Sequence, residues 1–209
     1  MSACFAGRHL YLCTPDRPDL EAFVAAAVAG GVDVVQLRDK HLEARQVLAR
    51  GQVLQRLCRD LGVPFVLNDR PDLALEIGAD GVHVGQDDAP PALVRRVLGP
   101  DVVVGLSTHG PPDLAGASSQ PVDYLSAGPV VPTPTKPGRP GTGEDYVRQA
   151  VEEADVPVFV TGGVTPERVA PLAALGVRHF VVVRWVTEAD DPRAASAALR
   201  QAIDRALGA

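Results

Sequence analysis

Three polar residues alternate at the end of one apolar run, Gln36, Arg38 and Lys40 in the stretch Gln36-Leu37-Arg38-Asp39-Lys40. If the extended pattern runs to its end, residues two apart share a face, so an amide, a guanidinium and an ammonium point together. Three donors with no acceptor among them suit an anion rich in oxygen. The plainer alternative pairs Arg38 and Lys40 with Asp39 or another loop carboxylate.

Asp69 and Asp88 close two further runs, in Asn68-Asp69-Arg70 and Gly85-Gln86-Asp87-Asp88. Adjacent strands lie about 4.8 Å apart, so carboxylates at neighbouring strand ends can share one hard cation. Two carboxylates completed by substrate phosphate and water are the usual setting for Mg²⁺. By itself Asp69 also suits a helix N-cap, since Asp-Arg-Pro precedes a helical stretch. Asp87 competes with Asp88, and spacing alone does not choose between them.

The stretch Thr133-Pro134-Thr135-Lys136 offers two hydroxyls and a cation on a loop stiffened by Pro132, Pro134 and Pro137; a solvated proline-rich loop is the alternative. Gly162-Gly163 precede a helix opening near Pro166, where glycines let a phosphate approach backbone N–H groups and the positive helix end. A turn needing positive φ would account for one of them. Ser107 and His109 follow another apolar run, and Val183-Arg184 follow the last. His83 sits inside a strand and reads as a satisfied core residue, whereas His109 lies on a loop, facing substrate or solvent. Among these residues there is no Ser-His-Asp order, no metal-type Cys/His cluster and no Walker A loop.

The elements that must carry these residues alternate regularly. Strands are expected at His9–Cys13, Val32–Leu37, Pro64–Leu67, Gly81–Val84, Val102–Leu106, Tyr124–Ala127, Pro157–Val160 and His179–Val183. Helices are expected at Leu20–Ala29, Leu42–Leu61, Pro71–Ile77, Pro91–Leu98, Pro111–Ala117, Tyr146–Ala154, Pro166–Leu175 and Pro192–Leu207. Many helices open on Pro, and Gly62, Gly78 and Gly176 stand where a left-handed cap would end one. The strands are almost continuously apolar, as parallel strands covered on both faces are. Eight such units predict one α/β domain over residues 1–209, a compact (β/α)8 barrel of the TIM type. An open doubly wound sheet is the alternative. In a barrel the loops after the strands converge on one end, and seven of the eight are polar here.

Composition narrows the classes. Apolar residues make up 46% and charged residues 22%, an ordinary globular balance. With 20 Lys and Arg against 26 Asp and Glu the net charge is −6, which argues against a sequence-independent grip on nucleic acid. Cys4, Cys13 and Cys58, an odd number without ligand spacing, read as reduced thiols. Neither a signal-peptide pattern nor a membrane-length apolar run is present, so the expectation is a cytoplasmic protein without membrane partners.

Taken together the loops resemble the thiamine phosphate synthase (thiamine-phosphate pyrophosphorylase) family. The matching stretches run in family order: Gln-Leu-Arg-Asp-Lys (36–40), Asn-Asp-Arg (68–70), Gly-Val-His-Val-Gly-Gln-Asp-Asp (81–88), Gly-Leu-Ser-Thr-His (105–109), Gly-Pro-Val-Val-Pro-Thr-Pro-Thr-Lys (128–136), Thr-Gly-Gly-Val (161–164) and Val-Val-Val-Arg (181–184). The resemblance implies a transferase that joins hydroxymethylpyrimidine, from its diphosphate, to a thiazole phosphate, releasing pyrophosphate by a dissociative displacement. It implies that Gln36, Leu37, Arg38, Asp39, Lys40, Asn68, Ser107 and Lys136 bind the pyrimidine diphosphate, with Arg38, Lys40 and Lys136 catalytic. It further implies Mg²⁺ on Asp69 and Asp88, and the thiazole phosphate on Thr133, Pro134, Thr135, Gly163, Val183 and Arg184. Its partners would be those two small molecules, and a low-order homo-oligomer is compatible.

Two departures stand beside the thiazole side. Arg184-Trp185 replaces the Ser-Ala often found in the family, and the stretch after Lys136 is rich in glycine and proline. An arginine after the eighth strand suits a bidentate phosphate contact; the alternative is an outward pair with Glu188 or Asp190, leaving the backbone to hold the phosphate. Two rival functions are a thiazole tautomerase of the same fold, with His109 as its catalyst, and a non-catalytic thiamine-phosphate-binding protein. Neither needs the carboxylate pair.

Overall fold

The computed structural model describes residues 5–134, 138 and 140–208. Its strands are β1 (Leu10–Thr14), β2 (Val34–Leu37), β3 (Phe65–Asn68), β4 (Gly81–Val84), β5 (Val103–Thr108), β6 (Tyr124–Ala127), β7 (Val158–Thr161) and β8 (His179–Val182). Between and after them lie α1 (Leu20–Ala29), α2 (Ala44–Asp60), α3 (Pro71–Ile77), α4 (Pro91–Leu98), α5 (Pro111–Ala117), α6 (Gly143–Glu153), α7 (Pro166–Ala174), α8 (Arg184–Thr187) and α9 (Pro192–Leu207). Every strand pairs in parallel with its sequence neighbour, and β8 pairs with β1, closing a (β/α)8 barrel. The expected elements all form, with ends displaced by a few residues. α6 starts at Gly143 rather than Tyr146, and β5 continues to Thr108.

Strand alternation divides the apolar side chains into two shells. One face of each strand, such as Leu10 and Leu12 of β1, packs outward against the helices in the larger core. The opposite face points into the barrel, where Phe5, Tyr11, Val34, Val66, Val103, Tyr124 and Phe159 form a separate cluster. Phe5 stacks on Tyr124 with ring centroids 5.5 Å apart, filling the end at which the strands begin. The barrel is therefore plugged below and can be entered only from above.

Aspartates tie that lower end together. Asp33 accepts the amides of His9 and Leu10 at 2.8 and 2.9 Å, Asp80 that of Phe65 at 2.8 Å, and Asp123 that of Val104 at 2.8 Å. Each precedes an even-numbered strand and accepts backbone donors at or next to the start of the odd-numbered strand beside it, groups that would otherwise be buried without a partner. Arg200 of α9 adds an ion pair to Asp33 at 2.8 Å, which fastens the last helix to the first two strands.

Candidate active site

At the upper end the strand ends and their loops surround an open cavity of about 1200 Å³. Gln36, Arg38, Lys40, Asn68, Asp69, Asp88 and Ser107 line one side. The loops 131–134 and 162–165, together with Val183 and Arg184, line the other. Gln36 points inward from β2 and is buried. Arg38 and Lys40 follow β2 and open onto the cavity, so the alternation read from the sequence does gather these three groups.

Leu37 and Asp39 face elsewhere, for the same geometric reason. Leu37 is 2% exposed and belongs to the outer core. The Asp39 carboxylate accepts the amides of Asp16 at 3.2 Å and His41 at 2.8 Å. Their side chains therefore hold the loop in shape and do not line the main cavity. Thr135 and Lys136 lie outside the described residues, whereas Thr133 and Pro134 reach the cavity wall.

Asp69 is not a helix cap. Arg70 occupies the N-cap position of α3 and no side chain caps that helix. Asp69 instead has φ +64°, the one positive-φ residue other than glycine among the described residues. That backbone conformation is costly for most side chains and is tolerated best by Asn and Asp. It turns the carboxylate toward Lys40, whose Nζ is 3.1 Å away, and toward Asp88 within hydrogen-bonding reach. Asp88 is oriented by the Gly85 N–H, which donates to its Oδ2 at 2.8 Å.

Burial and the neighbouring Asp88 carboxylate raise the pKa of Asp69, with Lys40 working against them. Partial burial would raise Asp88 as well, but the hydrogen bonds from Asp69 and Gly85 and the charge of Lys40 bring it below its ordinary value. The two carboxylates are thus pushed apart in acidity, as neighbouring like charges are, and both would ionise more readily beside a divalent cation. No group of three or more Asp, Glu, His or Cys suited to a metal occurs among the described residues. Two carboxylates that border the open cavity fit Mg²⁺, which keeps several positions for water and phosphate oxygens.

On the far wall, Gly162 and Gly163 both have positive φ, +95° and +74°. A Cβ on Gly162 would fall 2.5 Å from Pro129 Cβ, and one on Gly163 would fall 2.5 Å from Val131 Cγ2. Positive φ thus calls for glycine at both positions, and the close approach of the β6 loop adds a second reason, strongest at Gly162, where backbone atoms lie nearby. Their backbone opens onto the cavity ahead of α7. Beside them β8 ends at Val182 and the chain turns directly into the short helix α8, which was not foreseen. Arg184 takes the outward course: its Nε donates to Glu188 Oε1 at 2.7 Å, one helical turn away, and both side chains are more than half exposed. In place of the anticipated phosphate contact the guanidinium is engaged in an ion pair, and Val183, Arg184 and Glu188 all border the cavity.

The chain belongs to the thiamine monophosphate synthase family. The model of that family matches residues 10–186, nearly the whole barrel. A thiamine-phosphate synthase of Mycobacterium bovis is 44% identical over 215 residues, covering 96% of this chain and 97% of its own length. One from Mycolicibacterium smegmatis is 46% identical over 210 residues, covering 94% and 92%. Among solved structures, thiamine phosphate pyrophosphorylase from Pyrococcus furiosus superposes with a TM-score of 0.88 at 31% identity, over 96% of this chain and 97% of that one. Like its relatives, the chain is a transferase of thiamine biosynthesis acting on small molecules. No helix among the described residues is long and apolar enough to cross a membrane.

Several cavity residues escaped the sequence reading: Tyr11, Cys13, Tyr124, Ser126 and Thr161 line its lower part. All lie at inward positions of strands, so the period-two pattern that found Gln36 could have found them. Spacing gives Gln86 no role, yet its Nε2 donates to the Ser107 carbonyl at 2.7 Å and ties the β4 loop to β5.

Proposed function

We propose that this cavity joins hydroxymethylpyrimidine diphosphate and a thiazole phosphate into thiamine phosphate, by loss of pyrophosphate before attack. The observation that carries the reading is the division of one cavity into two unlike walls. Arg38, Lys40 and the Asp69–Asp88 pair stand on one side, and residues 162–165 and 183–184 stand on the other.

Gln36, Asn68 and Ser107 hold the pyrimidine low in the barrel mouth, and Arg38 and Lys40 hold its diphosphate. Lys136, beyond the described residues, completes that clamp on the strength of the family resemblance. The carbon–oxygen bond to the diphosphate breaks first, and pyrophosphate departs with the bonding electrons. The aminopyrimidine ring stabilises the resulting benzylic-type cation. Charge grows on the departing oxygen as the bond lengthens, so donors fixed around it lower the barrier more than they tighten the ground state. Asp69 and Asp88 would hold Mg²⁺, which supplies positive charge to the pyrophosphate oxygens. Thr133, Gly163 and the backbone at Val183–Arg184 seat the thiazole phosphate so that the ring nitrogen faces the cationic carbon. That nitrogen forms the new bond with its own lone pair, so no general base is needed. The plugged floor, whose buried polar groups are already hydrogen-bonded to one another, keeps water from reaching the cation from below.

Purified protein given both substrates and Mg²⁺ should form thiamine phosphate and pyrophosphate in equal amounts, and a chelator should stop it. Isomerisation of the thiazole half without condensation would support the tautomerase reading in its place.

A further inference from the structure

Beneath the cavity, six side chains from five strands form one hydrogen-bonded chain through the barrel interior. Cys13 Sγ donates to Gln36 Oε1 at 3.0 Å, and Gln36 Nε2 donates to Tyr11 Oη at 2.9 Å. The hydroxyls of Tyr11 and Tyr124 are 3.1 Å apart. Tyr124 Oη lies 2.9 Å from His83 Nδ1, and His83 Nε2 lies 2.9 Å from Ser107 Oγ. All six residues are buried. Gln36 and Ser107, both placed above against the pyrimidine, are joined by Tyr11, Tyr124 and His83, which the proposed reaction does not use.

Gly105 makes the central link possible. It is paired in register with His83 on one side and Tyr124 on the other. A Cβ at this position would lie 2.1 Å from Tyr124 Cζ and 2.4 Å from its Oη. The phenol of β6 thus passes over β5 at the one residue without a side chain and reaches the imidazole of β4. Glycine inside a strand weakens it, and it marks a place where another group must come close.

The chain has a direction. A thiol is a weak acceptor, so Gln36 turns its oxygen to Cys13 and its N–H to Tyr11. Tyr11 oxygen therefore accepts, and its single hydrogen goes to Tyr124. The Tyr124 hydrogen goes on to His83 Nδ1, which leaves the imidazole proton on Nε2 to be donated to Ser107. Desolvation raises the pKa of both phenols, so each keeps the hydrogen that this order requires. With an N–H aimed at its oxygen, Ser107 must direct its own hydrogen to a different acceptor, and it borders the cavity.

We propose that this chain, with Tyr124 as its central positioning residue, fixes Ser107 as a hydrogen-bond donor and thereby selects a ligand that presents an unprotonated heteroaromatic nitrogen. The proposal rests on the reading that places the pyrimidine at Gln36 and Ser107. A neutral hydroxyl holds the ring nitrogen without protonating it, so the ring keeps the electron density needed to stabilise a cation. A ring carrying N–H at the same point would meet a donor with a donor and be rejected.

The direction can be read without any activity measurement. Long-range ¹H–¹⁵N spectra of histidine-labelled protein, with His83 assigned by His83→Gln, should show the neutral tautomer protonated on Nε2. A proton on Nδ1 would reverse the chain and overturn the proposal. The link to the reaction is read by a double-mutant cycle. Tyr124→Phe should lower kcat/KM by about tenfold or more, the usual consequence of stranding buried polar partners. In a Ser107→Ala background the same change should cost almost nothing. Losses that multiply would mean that Tyr124 acts independently of Ser107, and the positioning role would fall. Full activity in Ser107→Ala alone would instead remove the pyrimidine from this part of the cavity, which the tautomer measurement tells apart.

Discussion

Lys40 Nζ lies 3.1 Å from Asp69 Oδ2, so the cationic clamp and the carboxylate pair are one electrostatic unit. Lys40 offsets part of the charge of these two neighbouring carboxylates, of which Asp69 is raised and Asp88 lowered in pKa. Replacing either carboxylate should cripple turnover while sparing the fold, since both sit in the loop layer above the core. Asp69→Ala and Asp88→Ala should each lose activity by several orders of magnitude with an unfolding midpoint close to that of the parent. Mg²⁺-dependent activity at the parent level in both variants would remove the pair from the mechanism.

Titration of this pair gives the metal requirement a pH dependence. Asp69 has a raised pKa, caused by burial first and by Asp88 second. Below that raised value the pair stays protonated and a cation must displace the proton; above it the site is already ionised. The Mg²⁺ concentration for half-maximal rate should therefore rise as the pH falls, by at most about tenfold per unit for one proton released. Titrations of Mg²⁺ at several pH values measure this. The dependence should flatten in Asp69→Asn, whose residual rate can be followed at high enzyme concentration.

Lys136 gives a prediction about timing. If its ammonium meets charge that appears only as pyrophosphate leaves, Lys136→Ala should raise the barrier by about 3 kcal/mol. The loss should fall on kcat more than on KM. Steady-state kinetics decide, and a change confined to KM would make Lys136 a ground-state anchor.

The barrel was legible because its strands are continuously apolar and its helices are bracketed by Pro and Gly, signals that act locally. The clamp was legible in Gln36, Arg38 and Lys40 because strand alternation continues into the loop. The same rule turns Leu37 into the core, so adjacent residues of one motif part company. What composition could not reveal depends on contacts across the barrel. The left-handed turn at Asp69, the passage of Tyr124 over Gly105, and the close approach of the β6 loop to Gly162 and Gly163 each join segments far apart in the chain.

Gly105→Ala tests how tightly the interior is packed. The added methyl would meet Tyr124 Cζ at 2.1 Å, a distance that forces the ring to move. Overpacking a well-filled core typically costs about 1–3 kcal/mol. The denaturation midpoint should fall accordingly, and kcat/KM should fall with it because the displaced phenol pulls away from His83. A variant that keeps both would show that the ring has room to shift.

The last prediction concerns the arginine after β8. The sequence suggested that its guanidinium reaches the thiazole phosphate, but Arg184 Nε is bonded to Glu188 Oε1 at 2.7 Å on the exposed face of α8. The hydrogen bond to Glu188, and then its charge, raise the Arg184 pKa, and the hydrogen bond from Arg184 chiefly lowers that of Glu188, as expected for a mutual surface pair. Such a pair in water contributes little to stability, and it engages Nε, one of the guanidinium donors a bidentate phosphate contact would draw on. Arg184→Ser should therefore leave thiazole-phosphate affinity within about twofold, since the backbone of 183–184 is unchanged. Glu188→Gln releases the guanidinium, whose flexible chain then stands beside the phosphate wall, so this variant should bind thiazole phosphate more tightly and with a steeper dependence on salt. Calorimetric titration of each variant at two salt concentrations measures both effects. A marked loss of affinity in Arg184→Ser would mean that the arginine leaves Glu188 when the ligand arrives and takes hold of the phosphate itself.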